Sequence, residues 1–239
     1  MLKEKLRRVL NHLKIDLTKN LKYDRLTDEI LKSNLRESSN CIDVGCHKGE
    51  VLDSILKYAP NGTHFAFEPI PSMFNDLKSR YKKNSNVNIF NLALSSSNGV
   101  SKFIFVRDNP AYSGLKKRKY KSTKPDLEEI TVQKQMLDHV IDLDIKIDFI
   151  KIDVEGAEFD VLKGGKELLK KHKPLVLFEF GLGASDYYDT SPSSLYEFFD
   201  SLNYEIIDLS SYFSKNKKIQ KEELENLYNS NKEYYFVAR

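Results

Sequence analysis

Cysteine is nearly absent: Cys41 and Cys46 are the only two among 239 residues, and they stand five apart in one strand-to-loop segment. An extended segment holds their Cα atoms too far apart for a disulfide. Two sulfurs with no further cysteines do not make a zinc site either, so both are expected as small buried residues. No apolar run approaches the roughly 20 residues of a membrane span. The amino terminus, MLKEKLRRVLNHLKIDL, lacks the apolar core of a signal peptide, roughly 7 to 15 residues. Its leucines recur at helical spacing among charges, which predicts an amphipathic helix and, by default, a cytoplasmic location. Contact of its basic face with an anionic membrane surface stays open. One-sided charge is lacking as well. The formal net charge is +3, which by itself argues for no nucleic-acid partner, and DNA is not expected.

With charged residues at 31% and hydrophobic ones at 40%, the composition is that of a soluble globular chain. The length suits one large α/β domain. From residue 40 onward, apolar segments alternate with helical ones. CIDVG (41–45), HFAFEP (64–69) and VNIFNLALS (87–95) read as strands. EVLDSILKYA (50–59) and SMFNDLKSRYKK (72–83), the latter capped by Ser72, read as helices. This alternation predicts right-handed βαβ crossovers and a parallel sheet. VSKFIFV (100–106) and EEITVQKQM (128–136) alternate instead like an inserted antiparallel pair. Between them lies a polar stretch, 107–126, with no convincing element. Parallel alternation resumes with KIDFIKID (146–153), a short helix from about Glu158 to Lys163, a Gly164–Gly165 break and LVLFEF (175–180). A helix over 191–202 follows, with Pro192 in its first turn. YEIIDLS (204–210) and EYYFVAR (233–239) are expected to close the chain as an antiparallel edge hairpin.

Three segments carry chemistry. In IKIDVEGAE (150–158) an apolar strand runs into Asp153, Glu155 and Glu158 around Gly156. The carboxyl end of a buried parallel strand is where open α/β sheets bind ligands. Acids crowded there need a cation, hydrogen-bond donors or raised pKa values. IDVGCHKGE (42–50) places Asp43 before Gly45 and Gly49 at a strand–helix turn. Gly45 permits a sharp turn and Gly49 the close approach of a ligand to the helix start; a plain tight turn is the alternative. Neither the G-x-G-x-x-G of a dinucleotide fold nor the G-K-[ST] of a P-loop occurs. In FAFEP (65–69), Glu68 ends the second strand about 20 residues past the glycine turn, the spacing of an acid that binds a ribose diol.

With the segments NLALS (91–95) and VLKG (161–164) added, the chain from about residue 40 to its carboxyl terminus resembles the FkbM family of class I S-adenosylmethionine-dependent methyltransferases. The resemblance implies a Rossmann-like seven-stranded sheet with helices on both faces, an antiparallel last strand and a small inserted β-hairpin. It divides the chain into a helical extension over 1–39 and a methyltransferase domain over 40–239, with the hairpin and basic loop at about 100–136. It implies S-adenosylmethionine as cofactor. Asp43, Gly45 and Gly49 would line its methionine moiety, Glu68 its ribose, and the backbone from Leu92 and Ala93 to Ser95 its adenine. Asp153 would face both the methionine end and the acceptor. His47 stands where many class I enzymes carry a glycine, and contact with water alone is its alternative reading.

The resemblance further implies transfer of the methyl group to oxygen, on a sugar hydroxyl of a glycan or natural product. Asp153 and Glu155 are the candidate bases, with Glu179, at the end of the fifth strand, as a further contact to the acceptor. The same acids holding Mg²⁺ is an alternative, and Glu158 has a simpler role at its helix start. The basic stretch from Leu115 to Lys124, with Tyr112 and Tyr120, is either a solvated loop or a lid over an anionic acceptor. An RNA or protein methyltransferase and a non-catalytic module on the same fold are the rival readings. Against the first, no N/D-P-P-Y/F run occurs; against the second, Asp43, Glu68 and Asp153 are all present.

Overall fold

The computed structural model describes residues 16, 18–120, 122–214 and 217–239. The amphipathic helix expected at the amino terminus falls largely outside them. Helix α1 (Lys19–Asn34) begins where the Thr18 hydroxyl accepts from the Leu21 amide. It is followed by β1 (Cys41–Val44), α2 (Glu50–Tyr58), β2 (His64–Phe67), α3 (Pro71–Arg80) and β3 (Val87–Phe90). Then come β4 (Ala93–Leu94), β5 (Gly99–Val106), β6 (Leu127–Gln135) and α4 (Leu137–Val140). The chain continues with β7 (Phe149–Ile152), α5 (Glu158–Gly164), α6 (Lys166–His172), β8 (Leu175–Glu179) and α7 (Pro192–Ser201). It closes with β9 (Ile206–Asp208), α8 (Lys221–Ser230) and β10 (Tyr235–Ala238).

The main sheet has seven strands in the order β3-β2-β1-β7-β8-β10-β9, parallel except for β10, which runs antiparallel to both neighbours. The expected seven-stranded class I architecture is borne out. Its order reverses between β1 and β7, and that reversal leaves a crevice outside the strand ends. Side chains alternate across the sheet with period two. Ile42, Val44, Ile150, Ile152, Val176 and Phe178 enter one core with Val161, Leu195 and Phe199. Cys41, Phe149, Leu177 and Val237 enter the other, with Tyr23, Leu26, Ile30 and Leu31 of α1. Helix α1 thus completes the core beneath β1, β7, β8 and β10. Both cysteines are buried and free, and no helix of the described residues is long and apolar enough to cross a membrane.

Several local expectations need correction. The strand expected over 87–95 stops at Phe90, because the Asn91 amide donates to the carbonyls of Glu68 and Pro69, both at 2.9 Å, and turns the chain. Ala93 and Leu94 then pair with β6, making a three-stranded second sheet instead of a bare hairpin. Ser72 does not cap α3: Pro71 occupies the first turn after Ile70, and no side chain caps the helix. Gly165 separates two helices, α5 and α6, of which only the first was expected. The last two strands do pair, but α8 intervenes and β10 sits inside the sheet, leaving β9 at the edge. The stretch after β5 is not wholly irregular, since Gly114 and Ile104 exchange backbone hydrogen bonds of 2.8 and 3.1 Å.

Ile30 of α1 is fully buried against the sheet. Truncating it leaves a cavity, and Ile30→Ala is expected to lower unfolding free energy by about 2 to 5 kcal/mol in urea titration. A loss below about 0.5 kcal/mol would mean that α1 is a detachable appendage.

Candidate active site

The parallel register pairs Asp43 on β1 with Lys151 on β7, side by side on one face. Lys151 is the one charged residue in an otherwise apolar strand, FIKI. Its ammonium lies 3.8 Å from Asp43 Oδ1, 3.3 Å from Asp153 Oδ2 and 3.3 Å from the Gly45 carbonyl oxygen. Burial works against the Lys151 charge, but Asp153 and Asp43 outweigh it and push the pKa well up. Burial also dominates at Asp43, raising its pKa although Lys151 opposes. Asp43 is 1% exposed, and neither of its carboxylate oxygens closes a direct hydrogen bond among the described residues, although the Cys46 thiol and Leu52 amide also help to lower its pKa.

The turn after β1 explains its glycines. Gly45 has φ +76°, and a Cβ there would meet the Asp153 carbonyl oxygen at 1.9 Å, so glycine lets β1 and β7 end in contact. Gly49 has φ +79°, but the space a side chain would need is filled by the Tyr81 hydroxyl at 2.4 Å. Tyr81, and not a ligand, is therefore what approaches Gly49. Between them His47 is left-handed, φ 50°, and its amide donates to Glu68 Oε2 at 2.9 Å. The Ile70 amide donates to Glu68 Oε1 at 2.9 Å. Glu68 is nearly fully buried, and burial outweighs these donors to push it up to about 7. The His47 ring nitrogen Nε2 is buried without a partner. Leu92 packs at the margin of the main core, while Ala93 lies in a separate cluster with Ile70, Phe103 and Val132.

Beyond β7 the chain makes a second left-handed turn. Glu155 has φ 60°, a conformation strained for a residue with a side chain. Gly156 has φ +111° and packs on the Ala184 carbonyl. Glu158 Oε1 accepts from the amides of Val154 and Gly156 at 2.9 and 3.1 Å. That ties the turn closed, and burial pushes Glu158 up to about 7. Asp153, Glu155 and Glu179 each place an oxygen within 4.8 Å of the others. Burial would raise Asp153, yet Lys151, Tyr235 and Glu179 hold it below the usual range. The Tyr235 hydroxyl donates to Asp153 Oδ2 at 2.7 Å. Burial and then Asp153 push Glu179 well up. Burial and Asp153 likewise push Glu155 up to about 8, against the pull of Arg118.

Arg118 comes from the basic stretch between β5 and β6. Its guanidinium ion-pairs with Glu155 and reaches the Gly183 carbonyl at 3.3 Å. The segment is tethered by Lys116 N–H to the Tyr188 hydroxyl at 2.9 Å and Lys119 N–H to the Tyr187 hydroxyl at 3.0 Å. The structure thus brings together Asp153, Glu155 and Glu179, joins Asp43 to them through Lys151, and joins His47 to Glu68. The three clustered oxygens have the spacing of a cation site. However, Asp153 is already bonded to Lys151 and Tyr235, and Glu155 to Arg118, so Mg²⁺ would have to displace them. Lys151, Tyr235 and Arg118 escaped the sequence reading. A lysine inside an apolar strand was the available signal for the first; the other two depend on folding.

The methyltransferase FkbM domain matches residues 43–206, from β1 to the start of β9. Among curated proteins, the 2-O-methyltransferase NoeI of Sinorhizobium fredii (strain NBRC 101917 / NGR234) is 30% identical over 142 residues, or 54% of this chain and 58% of NoeI. Among solved structures, methyltransferase FkbM from Methylobacillus flagellatus KT matches with a TM-score of 0.54 at 18% identity, over 86% of this chain and 44% of that one. The chain therefore spans about half the length of these relatives. At that identity the structural likeness speaks for the fold.

The raised acids have a consequence for stability. Glu68 and Glu158 ionise near 4.5 when unfolded and near 7 when folded. Between those values the folded chain holds protons that the unfolded chain has lost, so this stability is full below about pH 4.5 and is lost as pH rises through 7. Urea titration of the ligand-free protein is expected to show stability falling between about pH 5 and 7, by on the order of 1.4 kcal/mol per unit for each group. Glu68→Gln removes one group's share; a variant as steep as the parent would show Glu68 to titrate normally.

Proposed function

Because the chain belongs to the methyltransferase FkbM domain family, we propose that it transfers a methyl group from S-adenosylmethionine to a hydroxyl oxygen of a sugar in a glycan or natural product. One observation carries the reading: a two-sided site at the point where the sheet reverses. On one side Asp43 offers two buried oxygens that close no direct hydrogen bond among the described residues, with Lys151 3.8 Å from one of them, beside the glycine turn and Glu68. On the other stand Asp153, Glu155 and Glu179. Lys151 links the two.

The first side fits the cofactor. Carboxylate oxygens without a direct hydrogen bond suit an ammonium or hydroxyl donor, and both Asp43 oxygens are in that state among the described residues. Glu68 uses one lone pair of each oxygen on backbone amides, which leaves further acceptor capacity for a ribose diol. When bound, S-adenosylmethionine would supply an electrophilic methyl group on a sulfonium that leaves as a neutral thioether. The second side handles the acceptor. A hydroxyl attacks well only as its proton is removed. Asp153, held low by Lys151 and Tyr235, is the poorer base and serves to fix Lys151. Glu155, raised to about 8, is the better one, and Glu179, pushed up as well, stands beside Asp153. Holding the acceptor in line contributes much of the rate.

Oxygen as the accepting atom is supported by NoeI, a 2-O-methyltransferase by name. An RNA or protein acceptor has no comparable support. Two free buried thiols fit a reducing compartment, in keeping with a cytoplasmic enzyme.

S-Adenosylmethionine at about a hundred times its Kd is expected to add about 2.7 kcal/mol of stability, read as a rise in melting temperature. Asp43→Asn should abolish most of that rise; an undiminished rise takes Asp43 out of the cofactor site. Glu155→Gln should keep the rise while lowering kcat by on the order of 10²- to 10⁴-fold. Equal damage to both readouts would make Glu155 a cofactor contact instead of a base.

A further inference from the structure

Arg118 is placed unusually for a residue of a basic surface stretch. Its side chain is 8% exposed, and its guanidinium lies 5.2 Å over the Tyr112 ring. One terminal nitrogen meets Glu155 and the other the Gly183 carbonyl, yet Nε is buried with no acceptor among the described residues. A buried donor without a partner is destabilising. The Tyr120 hydroxyl, two residues on, is likewise buried without a partner.

The segment carrying Arg118 is held over the site by polar tethers. Beside the Tyr187 and Tyr188 hydroxyl contacts, Lys116 Nζ donates to the Tyr187 carbonyl at 2.8 Å. Lys117 and Lys119 are exposed on either side of Arg118. Beneath the segment stand the carboxyl groups of Asp153, Glu155 and Glu179, and Lys151 is taken up by Asp43 and Asp153. That leaves Arg118 to meet an anionic group entering over these acids.

We propose that Arg118 recognises an anionic group on the acceptor, so that the methylated hydroxyl belongs to an acidic sugar bearing a carboxylate or a phosphate. The proposal rests on the O-methyltransfer reading above and adds its substrate class. The planar guanidinium matches either anion in a two-point contact. Its pairing with Glu155 has a further effect. While paired, Glu155 is a weaker base, because the adjacent cation favours the ionised carboxylate. When the acceptor's anion draws the guanidinium onto itself, that restraint on Glu155 loosens in the same step that seats the hydroxyl. A neutral sugar leaves the pair in place. The exposed lysines 117 and 119 draw the anion toward the mouth.

The test compares methyl glucuronide, glucose 6-phosphate and the neutral methyl glucoside by saturation-transfer NMR and by methyl transfer, with S-adenosylmethionine present. The charged probes should bind at least tenfold tighter than the neutral one, and in Arg118→Gln that ratio should fall toward one. Arg118→Lys, which keeps the charge without the fork, should fall between them. The cofactor-induced rise in melting temperature persisting in both variants shows that they fold. The stronger of the two charged probes identifies carboxylate or phosphate as the recognised group. Equal binding of charged and neutral probes by the parent, or an unchanged ratio in Arg118→Gln, overturns the proposal and leaves Arg118 as a neutraliser of Glu155. Tighter binding of a single-stranded oligoribonucleotide than of either charged sugar also overturns it, in favour of RNA. If the parent shows no cofactor-induced rise at all, the O-methyltransfer reading itself falls, and the acidic-sugar proposal with it.

Discussion

A buried lysine between a buried aspartate and a half-buried one organises the carboxyl edge of this sheet. Asp43 and Asp153 are close enough to Lys151 to need it, and removing one member of a buried ion pair is far more damaging than replacing the whole set. The position of Lys151 is a matter of register. β1 and β7 pair with Asp43 opposite Lys151, and a slip of one residue would turn the ammonium into the apolar core on the other face. The contact at Gly45 enforces that register, because any larger residue would collide with the backbone of Asp153. Strand pairing, the glycine turn and the charge triad are thus one arrangement.

Around this centre the acids accumulate beyond what Lys151 can neutralise. Glu68, Glu155, Glu158 and Glu179 are all shifted upward, with burial the leading cause. Perturbed groups of this kind gather where function needs them. In the site Arg118 meets Glu155. A sulfonium cofactor brings positive charge to a floor that has too little of it. The carboxyl-terminal strand also takes part. Tyr235 bonds Asp153, and its ring lies 5.0 Å from that of Tyr23 on α1, so the helix beneath the sheet abuts the residue that orients the aspartate.

Most of the sheet was legible because buried parallel strands announce themselves as short apolar runs between helical ones. The acids at the strand ends were legible for a related reason: a charge at the end of such a run has few other uses. What escaped depends on contacts made only in the folded chain. The break after Phe90 comes from a side-chain amide, Asn91, reaching back to the Glu68 and Pro69 carbonyls. Helix α8 was hidden by its charges, although Leu224 and Tyr228 stand four apart on its buried side. Lys151 becomes meaningful once β1 lies beside β7. Arg118 is one cation among many in its stretch, and only the folded chain sets it against Glu155 and the Gly183 carbonyl.

The central claim is methyl transfer to oxygen at the Asp43–Lys151–Glu155 edge. Incubating the protein with S-adenosylmethionine carrying a ¹³C-labelled methyl group, together with a metabolite extract, and recording carbon NMR tests it most directly. The account predicts that the label leaves the sulfonium and reappears as a methyl ether. Label that stays on sulfur, or that reappears on nitrogen, would contradict it.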